Sequence, residues 1–450
     1  MLNKIQEFIK GGSERSQIVK RNAIGALLIK FFSMFIDFAK VPILLSYLDA
    51  NHYGVYVTIA SIVYWSHNFD FGLGTGLRYK LTEAISLGNQ AKGKQLVSTA
   101  YISMTILMSV FFICILPIIF NIDWQLILNS SEILESELLL SVVFVLVVYL
   151  VQFVLELISN ILQADQKAAI STLFKPIANL ITLVVIIILR FFSYNSLLLA
   201  CVAMCTPIVI VLLIANIFLF YRRYKTIAPS FSDFSRDSIR DIYSLGIKYF
   251  VGQISTLIVF NTSSFLITYY VNPTETAVYN TAWTYFGALV ILNNMVLQPL
   301  AAAVTDAYVK DEYKWIKNCF KKIRTYSVAL TILSVILLLI SPFVFKIWLG
   351  DKLEISVQLS IVVSVYFILN IWVSPYTSFL SGVGKLSVSV LLSIGKILLY
   401  IPISISLTKM YGTIGLVSAI ILVNTLPNLV IGIVQYTLLV EKKAKGIWNR

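Results

Sequence analysis

The 450-residue sequence predicts an all-α integral membrane protein with twelve transmembrane helices in two six-helix bundles. The composition is 58% hydrophobic and 13% charged, whereas a soluble domain averages about 25% charged residues. The apolar runs reach the length of about 20 residues that crosses a bilayer, and they do not alternate as strands do. Basic residues collect on one side of these runs. Together these observations favour a multi-pass helical protein over a globular one.

The apolar runs place the helices in order along the chain. We predict spans over residues 22–48, 53–76, 96–120, 138–163, 170–190, 197–221, 241–271, 276–306, 323–348, 356–381, 385–408 and 414–439. The connection 121–137 contains acidic residues and neither Lys nor Arg, and it is the largest loop on its side. It is too short to form a domain.

The distribution of basic residues predicts the orientation of the chain. With the amino terminus inside, the outer side carries only four of the 35 Lys and Arg residues, namely Arg190, Lys346, Lys352 and Lys409. An excess of Lys and Arg in short loops marks the cytoplasmic face, so we expect both termini to be cytoplasmic. The net charge of +13 therefore reflects orientation, because the sequence has no basic patch interleaved with aromatic residues that would indicate nucleic-acid binding.

Weak internal similarity predicts two parallel halves. YLDANHYGVYVT (residues 47–58) is similar to YVNPTETAVYNT (residues 270–281), and ILQADQK (residues 161–167) is similar to FLSGVGK (residues 379–385). A basic connection lies halfway along the chain. We therefore predict an N-terminal bundle over 1–221, a cytoplasmic linker over 222–240 and a C-terminal bundle over 241–450.

The first predicted helix has a polar face that includes Lys30, Asp37 and Lys40. At 100° per residue these side chains fall within about 80° of arc. A charged group at bilayer depth costs about 2.5–3.5 kcal/mol, so such groups normally face a cavity or pair with one another. Asp37 and Lys40 have the spacing of an ion pair. Two further interpretations stay open: all three residues form a structural ion cluster, or Lys40 extends to the membrane surface.

Further polar residues at bilayer depth are candidates for binding or coupling. Candidate substrate-binding residues are Lys30, Lys40, Lys248, Gln253, Asn261, Asn294 and Lys396. Candidate ion-coupling or gating residues are Asp37, Asp70 and Glu156. For Glu156, a side chain that extends to the cytoplasmic membrane surface is as plausible an interpretation as a functional role. For Lys396, a structural partner is as plausible as a substrate contact. Asp70 lies at the cytoplasmic mouth beside a glycine-rich helix end, where a structural or gating role is favoured over direct contact with a substrate.

Enzyme and metal signals are missing from the sequence. GLGTG at residues 72–76 follows no strand and lacks the Lys-Ser/Thr of a phosphate loop. The two histidines, His52 and His67, and the four cysteines have no metal-binding spacing. We therefore expect neither a catalytic site nor a metal or other cofactor.

The stretch from Tyr53 to Ala100 resembles the second helix, cytoplasmic link and third-helix start of bacterial polysaccharide-repeat (O-antigen type) flippases. The similarity lies in YGVY at 53–56, DFGL at 70–73, Gly76, and the link from Gly88 to VSTA at 97–100. These flippases belong to the multidrug/oligosaccharidyl-lipid/polysaccharide exporter (MATE-like) superfamily. The local similarity covers the first hundred residues, while length, span number and the two halves agree over the whole chain.

This resemblance implies an inner-membrane flippase with a central cavity. Its substrate would be an undecaprenyl-diphosphate-linked oligosaccharide, moved to the outer leaflet by alternating access and coupled to H⁺ or Na⁺. Implied partners are the lipid bilayer, a polysaccharide polymerase and chain-length proteins. The alternatives are a cation-coupled multidrug exporter of the same fold and a membrane enzyme acting on the same lipid-linked sugar. Short loops and missing catalytic pairs argue against the enzyme.

Overall fold

The computed structural model describes residues 14–64, 72–165, 167–192, 196–240, 242 and 261–449, and in these ranges the chain is helical without strands. The helices of the first part are α1 (Glu14–Tyr47), α2 (Ala50–Tyr64), α3 (Leu73–Ser86), α4 (Gln90–Phe120), α5 (Trp124–Ile127), α6 (Glu135–Ala164), α7 (Ala168–Ser171), α8 (Phe174–Phe192) and α9 (Leu197–Arg222). Those of the second part are α10 (261–270), α11 (Pro273–Val309), α12 (Tyr313–Leu349), α13 (Val357–Gly382), α14 (Ser387–Ile420) and α15 (Leu426–Val440).

Seven helical runs in the described part are long and apolar enough to cross a membrane. They are α4, α6, α8, α9, α12, α13 and the continuous run Ser387–Val440 that contains α14 and α15. Large apolar side chains such as Ile113, Ile217 and Leu339 are more than half exposed. A surface of this kind is stable only against lipid or a protein partner. The chain is therefore an all-α, multi-pass membrane protein, as predicted.

The described residues fall into two compact units. The first takes residues within 1–48, 59–127 and 131–254, and the second takes those within 49–58, 128–130 and 255–450. In the first unit α6 packs against α4 and α9, and α1 packs against α8. In the second unit α13 packs against α11, α12 and α15. The predicted bundle boundaries at 221 and 241 stay a prediction; the segment 222–240 lies in the first unit.

Side-chain caps explain where three of the long helices begin. The Asn89 side chain accepts a hydrogen bond from the backbone N–H of Lys92 (2.9 Å) at the start of α4. Ser196 and Ser356 cap α9 and α13 in the same way. Each cap satisfies one of the backbone donors that the first turn of a helix leaves free.

Glycine conformation interrupts the helix that the sequence predicts over residues 53–76. Gly72 has φ 79°, in the left-handed region, and α3 begins directly after it. A left-handed residue cannot continue a right-handed helix, and glycine adopts this conformation without steric cost. Gly412 (φ 59°) likewise separates the two predicted spans 385–408 and 414–439 within the long run at the carboxyl end.

The two segments with similar sequences share one local structure. The Thr58 hydroxyl donates to the carbonyl of Gly54 (2.9 Å), and the Thr281 hydroxyl donates to the carbonyl of Ala277 (2.8 Å). These residues correspond in the aligned segments, and both threonines are fully buried. Residues 49–58 of the first segment lie with the second segment in the second unit, where Gly54 packs against the carbonyl of Pro273.

Candidate functional site

The predicted ion pair of α1 is present and is bridged by a third residue. Lys40 Nζ lies 2.9 Å from Asp37 Oδ1. Asn179 of α8 donates to the same carboxylate oxygen (3.0 Å) and accepts from Lys40 Nζ (3.1 Å). The lysine side chain is 15% exposed and the aspartate 41%. The Lys40 charge is therefore already balanced by a neighbour, and the amide holds both groups in one geometry.

Several other candidates cannot be placed. Lys30 lies on α1, but its side chain is outside the described residues. Asp70, Lys248 and Gln253 also lie outside the described residues. Their roles stay predictions. Asn261 begins the described part of α10 and is half-buried.

The fourth predicted span is α6, which carries Glu156 and Gln163. Gln163 accepts a hydrogen bond from Arg78 Nη1 of α3 (2.9 Å), which joins α6 to the neighbouring helix. Glu156 lies two turns earlier and is half-buried, and its Oε2 atom is buried without a hydrogen-bond donor among the described residues.

Lys396 of α14 is the most buried lysine among the described residues, at 7% exposure. Its Nζ donates to Asn428 Oδ1 of α15 (2.6 Å). The Asn428 amide in turn donates to Asn424 Oδ1 (3.4 Å). No carboxylate among the described residues forms an ion pair with Lys396. A cation in this state attracts an anionic group, because nothing described here neutralises it.

Asn424 lies in a π-helical turn, Ile421–Thr425, between α14 and α15. Such turns are rare, and they often mark functional sites. The Thr425 hydroxyl donates to the Ile420 carbonyl (3.4 Å), so a side chain satisfies one of the acceptors at this turn. The sequence did not reveal Asn424 and Asn428 as partners of Lys396, since no local spacing links residues about 30 positions apart.

A network of hydroxyls and amides continues from α14 to α10 and α11. Tyr400, one turn after Lys396, has its hydroxyl 2.9 Å from the Ser263 hydroxyl. The adjacent Ser264 hydroxyl accepts from the Asn280 amide of α11 (3.3 Å). Nearer the α10–α11 turn, Thr268 is in hydrogen-bond contact with both Thr58 and Thr276 (2.7 Å to Thr276). The second unit therefore has a polar interior at depths where apolar packing is normal.

The two central asparagines of α11 differ in their surroundings. Asn294, which the sequence favoured, is exposed. Asn293 is 1% exposed, and neither its Nδ2 nor its Oδ1 has a hydrogen-bond partner among the described residues. A buried amide without partners is costly, by about 1–3 kcal/mol. The two asparagines are adjacent in the sequence, and residue type alone does not decide which one is buried.

Charged residues outside the spans fix the loops of the first unit. Lys94 pairs with Asp233 (2.9 Å) and holds the pKa of that carboxyl below its usual value. The Ser98 and Thr99 hydroxyls of α4 accept the backbone N–H groups of Ser230 and Ser235. The segment 222–240 is therefore bound to α4.

Asp165 is the centre of a second loop cluster. Arg223 donates to it through Nε and Nη2 (3.1 and 2.9 Å), and the Tyr224 hydroxyl donates at 2.9 Å. Burial, with the Asp165 contact, raises the pKa of Tyr224. A cavity of about 460 Å³ adjoins the cluster, between the α3–α4 turn and the segment after α9.

Within the described part of the chain, no three His, Cys, Asp or Glu residues come together as a metal site would require. Cys201 and Cys205 of α9 are buried and unpaired with one another. Buried cysteines of this kind act as small apolar residues.

Comparison with known proteins identifies the family. The model of the family described as "Polysaccharide biosynthesis protein" matches residues 19–305. The chain belongs to this family. This member of the polysaccharide biosynthesis family is also 22% identical over 377 residues to a candidate O-antigen export protein of Yersinia pseudotuberculosis. The aligned region covers 82% of this chain and 84% of the relative.

Solved structures share the fold of this family member. An inward-facing multidrug resistance MATE transporter of the MOP superfamily matches 94% of this chain and all of its own, with 17% identity and a TM-score of 0.72. An outward-facing one matches 98% and 99% of the two chains, with 16% identity and a TM-score of 0.61. A MOP superfamily transporter from Pyrococcus furiosus matches 94% and 96%, with 17% identity and a TM-score of 0.60. The fold is therefore that of the MATE-like transporters.

Proposed function

We propose that the protein moves an undecaprenyl-diphosphate-linked oligosaccharide repeat unit from the cytoplasmic to the outer leaflet of a bacterial inner membrane. It works by alternating access, in which differential binding of the substrate shifts the population between two conformations. Family membership and the O-antigen export relative support the class of substrate. Both termini are cytoplasmic in this proposal, as the basic residues indicate.

The observation that carries the proposal is the buried ammonium of Lys396. It has an amide partner at 2.6 Å and no ion pair among the described residues, so it is available to an anion. A lipid diphosphate supplies that anion. Lys40 differs from Lys396 because its charge is paired with Asp37. In this proposal Lys396 contacts the diphosphate, while the substrate-binding roles of Lys30, Lys40, Lys248, Gln253, Asn261 and Asn294 stay predictions.

The proposal includes coupling to a proton or sodium gradient. Glu156 is the strongest candidate for the coupling group, because its buried carboxyl oxygen has no donor among the described residues. Asp37 and Asp70 are the other candidates. The polymerase and chain-length proteins are proposed partners downstream, since they would use the repeat unit once it reaches the outer leaflet.

Translocation in vesicles tests this function. The purified protein is reconstituted into liposomes that contain undecaprenyl diphosphate linked to a galactose-terminated disaccharide, and galactose oxidase added outside measures the accessible fraction. Protein-free liposomes expose about half of the sugar. We expect the protein to raise this fraction toward completion, faster under a proton or sodium gradient than without one.

An accessible fraction that stays at the protein-free value under every gradient would refute the flippase assignment. Uptake of a cationic dye by the same vesicles under those gradients would instead support a multidrug exporter. Omission of both gradients is the control that separates coupled from passive movement.

A further inference from the structure

The open face of α11 has the composition of a carbohydrate-binding surface. Asn280, Trp283, Thr284, Gly287 and Asn294 fall within about 100° of arc and extend over about 21 Å of helix. The first four are half-buried and Asn294 is exposed, whereas α11 residues on the opposite side are buried. This face is therefore not covered by the helices that α11 packs against.

Apart from the apolar Ile291, which falls in the same arc, this face carries amide, hydroxyl and aromatic groups and no charge, which distinguishes it from a lipid-facing surface and from an ion site. Residues 276–305 contain no Asp, Glu, Lys or Arg. The exposed faces of other spans are apolar, as Leu339 (75% exposed) and Ile347 (70%) show on α12. Amides and hydroxyls exposed at bilayer depth are costly unless a polar ligand or water contacts them. Neutral hydrogen-bonding groups suit sugar hydroxyls better than they suit a cation or a diphosphate.

Trp283 supplies an aromatic ring held in a fixed position. Its ring is 4.5 Å from that of Tyr366 at an interplanar angle of 30°, 5.0 Å from Phe367 and 5.2 Å from Tyr279. Those three rings are almost fully buried, and Trp283 keeps an exposed part. A rigidly supported indole between amide and hydroxyl groups can stack on the apolar face of a pyranose ring while its neighbours bind the hydroxyls.

The Asn280 amide group is oriented by two bonds on its nitrogen. Nδ2 donates to the Thr276 carbonyl (2.9 Å) and to the Ser264 hydroxyl (3.3 Å). Both hydrogen bonds are donated by the nitrogen, so they fix the amide plane, and the amide oxygen is presented as an acceptor. Ser264 is adjacent to Ser263, whose hydroxyl contacts that of Tyr400 on α14. Lys396 lies one turn before Tyr400 on the same helix. The cation and the neutral face thus belong to one connected region of the second unit.

We propose that this face binds the sugar part of the carried lipid, with Trp283 stacked on a pyranose ring and Asn280 and Thr284 bonded to its hydroxyls. The inference rests on the proposed function and adds a division of labour: Lys396 binds the diphosphate, and the α11 face senses whether a sugar is attached. The face therefore gives the protein a preference for loaded over unloaded carrier lipid.

The test compares two probes, undecaprenyl diphosphate and undecaprenyl diphosphate N-acetylglucosamine, in detergent, with affinity measured by native mass spectrometry. For the wild type we expect the sugar-bearing probe to bind several-fold tighter. Trp283→Leu should lower the ratio of the two affinities by about three- to tenfold and leave the affinity for the bare lipid unchanged. Trp283→Phe, which keeps a ring, should retain most of it.

Controls separate this inference from the proposed function. Trp372→Leu, which alters a tryptophan that donates to Thr331 (3.1 Å), should leave the preference intact. Lys396→Met should weaken both probes equally. If Trp283→Leu fails to fold, Thr284→Val tests the same face and should reduce the preference. An unchanged preference in both α11 variants would overturn the sugar-binding inference, whereas a wild type that binds neither probe would overturn the proposed function.

Discussion

Replacing Lys396 with methionine removes a buried ammonium and keeps most of the side-chain volume, so the contributions of this charge to stability and to substrate binding can be measured separately. The lysine is 7% exposed and has one amide partner. Burial of an unbalanced charge in a membrane costs about 2.5–3.5 kcal/mol. The bond to Asn428 recovers about 1.5–3 kcal/mol, because hydrogen bonds to charged groups fall in that range. Removing both effects changes stability by between about −0.5 and +2 kcal/mol.

The single variant leaves Asn428 Oδ1 without its donor, which costs about 1–3 kcal/mol. The double variant Lys396→Met/Asn428→Leu removes this cost and therefore measures the effect of the Lys396 charge alone. The double variant should unfold at the wild-type temperature or slightly above it. Binding should fall in both variants. A unit charge 4 Å from an anion contributes up to about 4 kcal/mol at an effective dielectric constant of 20, so we expect undecaprenyl diphosphate to bind at least about tenfold more weakly.

Thermal unfolding in detergent measures the first effect, and titration with undecaprenyl diphosphate measures the second. Lys409→Met is the matched control, since Lys409 lies on the same helical run, is exposed, and contacts the Tyr270 ring at 5.0 Å. It should change neither quantity appreciably. Wild-type affinity for undecaprenyl diphosphate in the Lys396 variants would refute the role of Lys396 in binding the diphosphate. A strongly destabilised double variant would refute the estimate that the cost of burying the charge and the gain from its hydrogen bond nearly cancel.

Three further substitutions probe other parts of the structure. Asp37→Asn leaves Lys40 without its charged partner, and we expect a weaker dependence of vesicle transport on the ion gradient; an unchanged dependence would exclude Asp37 from coupling. Glu156→Gln keeps the shape of the side chain, so thermal stability should change by less than about 1 kcal/mol while acceleration by a proton gradient is lost. Gly54→Ala places a methyl group within 1.7 Å of the Pro273 carbonyl oxygen, and the forced shift should destabilise the protein by at least about 1–3 kcal/mol in thermal unfolding.

Each of these has a control in the chain. Gly395→Ala adds the same methyl group where no atom lies within 4 Å, so it should be neutral or stabilising. Asp233→Asn removes a carboxylate from a partly exposed ion pair with Lys94 in the connection after α9, and transport coupling should persist. Wild-type stability in Gly54→Ala would show that the close approach to Pro273 is not needed.

Much of the helical architecture could be predicted, because bilayer-length apolar runs leave little choice of structure. The prediction for 138–163 agrees with α6 to within a few residues, and that for 356–381 agrees with α13. The interruption at Gly72 was missed. Hydropathy is insensitive to the sign of φ, so it does not show where a glycine ends a helix.

The site was predictable to the extent that its contacts are local. The spacing of Asp37 and Lys40 implied a pair, and the pair forms. Asn179, which bridges it, and Asn428, which holds Lys396, are distant in sequence, and only tertiary packing brings them near. A lone asparagine in an apolar span gives no indication of its partner.

The packing of Gly54 against Pro273 has a consequence for how the protein could be divided. Residues 49–58 come from the first half of the gene but lie in the compact unit formed mainly by the second half. A carboxyl-terminal half produced alone would lack this piece, and the carbonyl of Pro273 would lose the surface that covers it. Two half-length polypeptides would therefore be expected to function only when made together, by complementation. Their mutual dependence would also favour correlated evolution at the positions where the two similar segments touch.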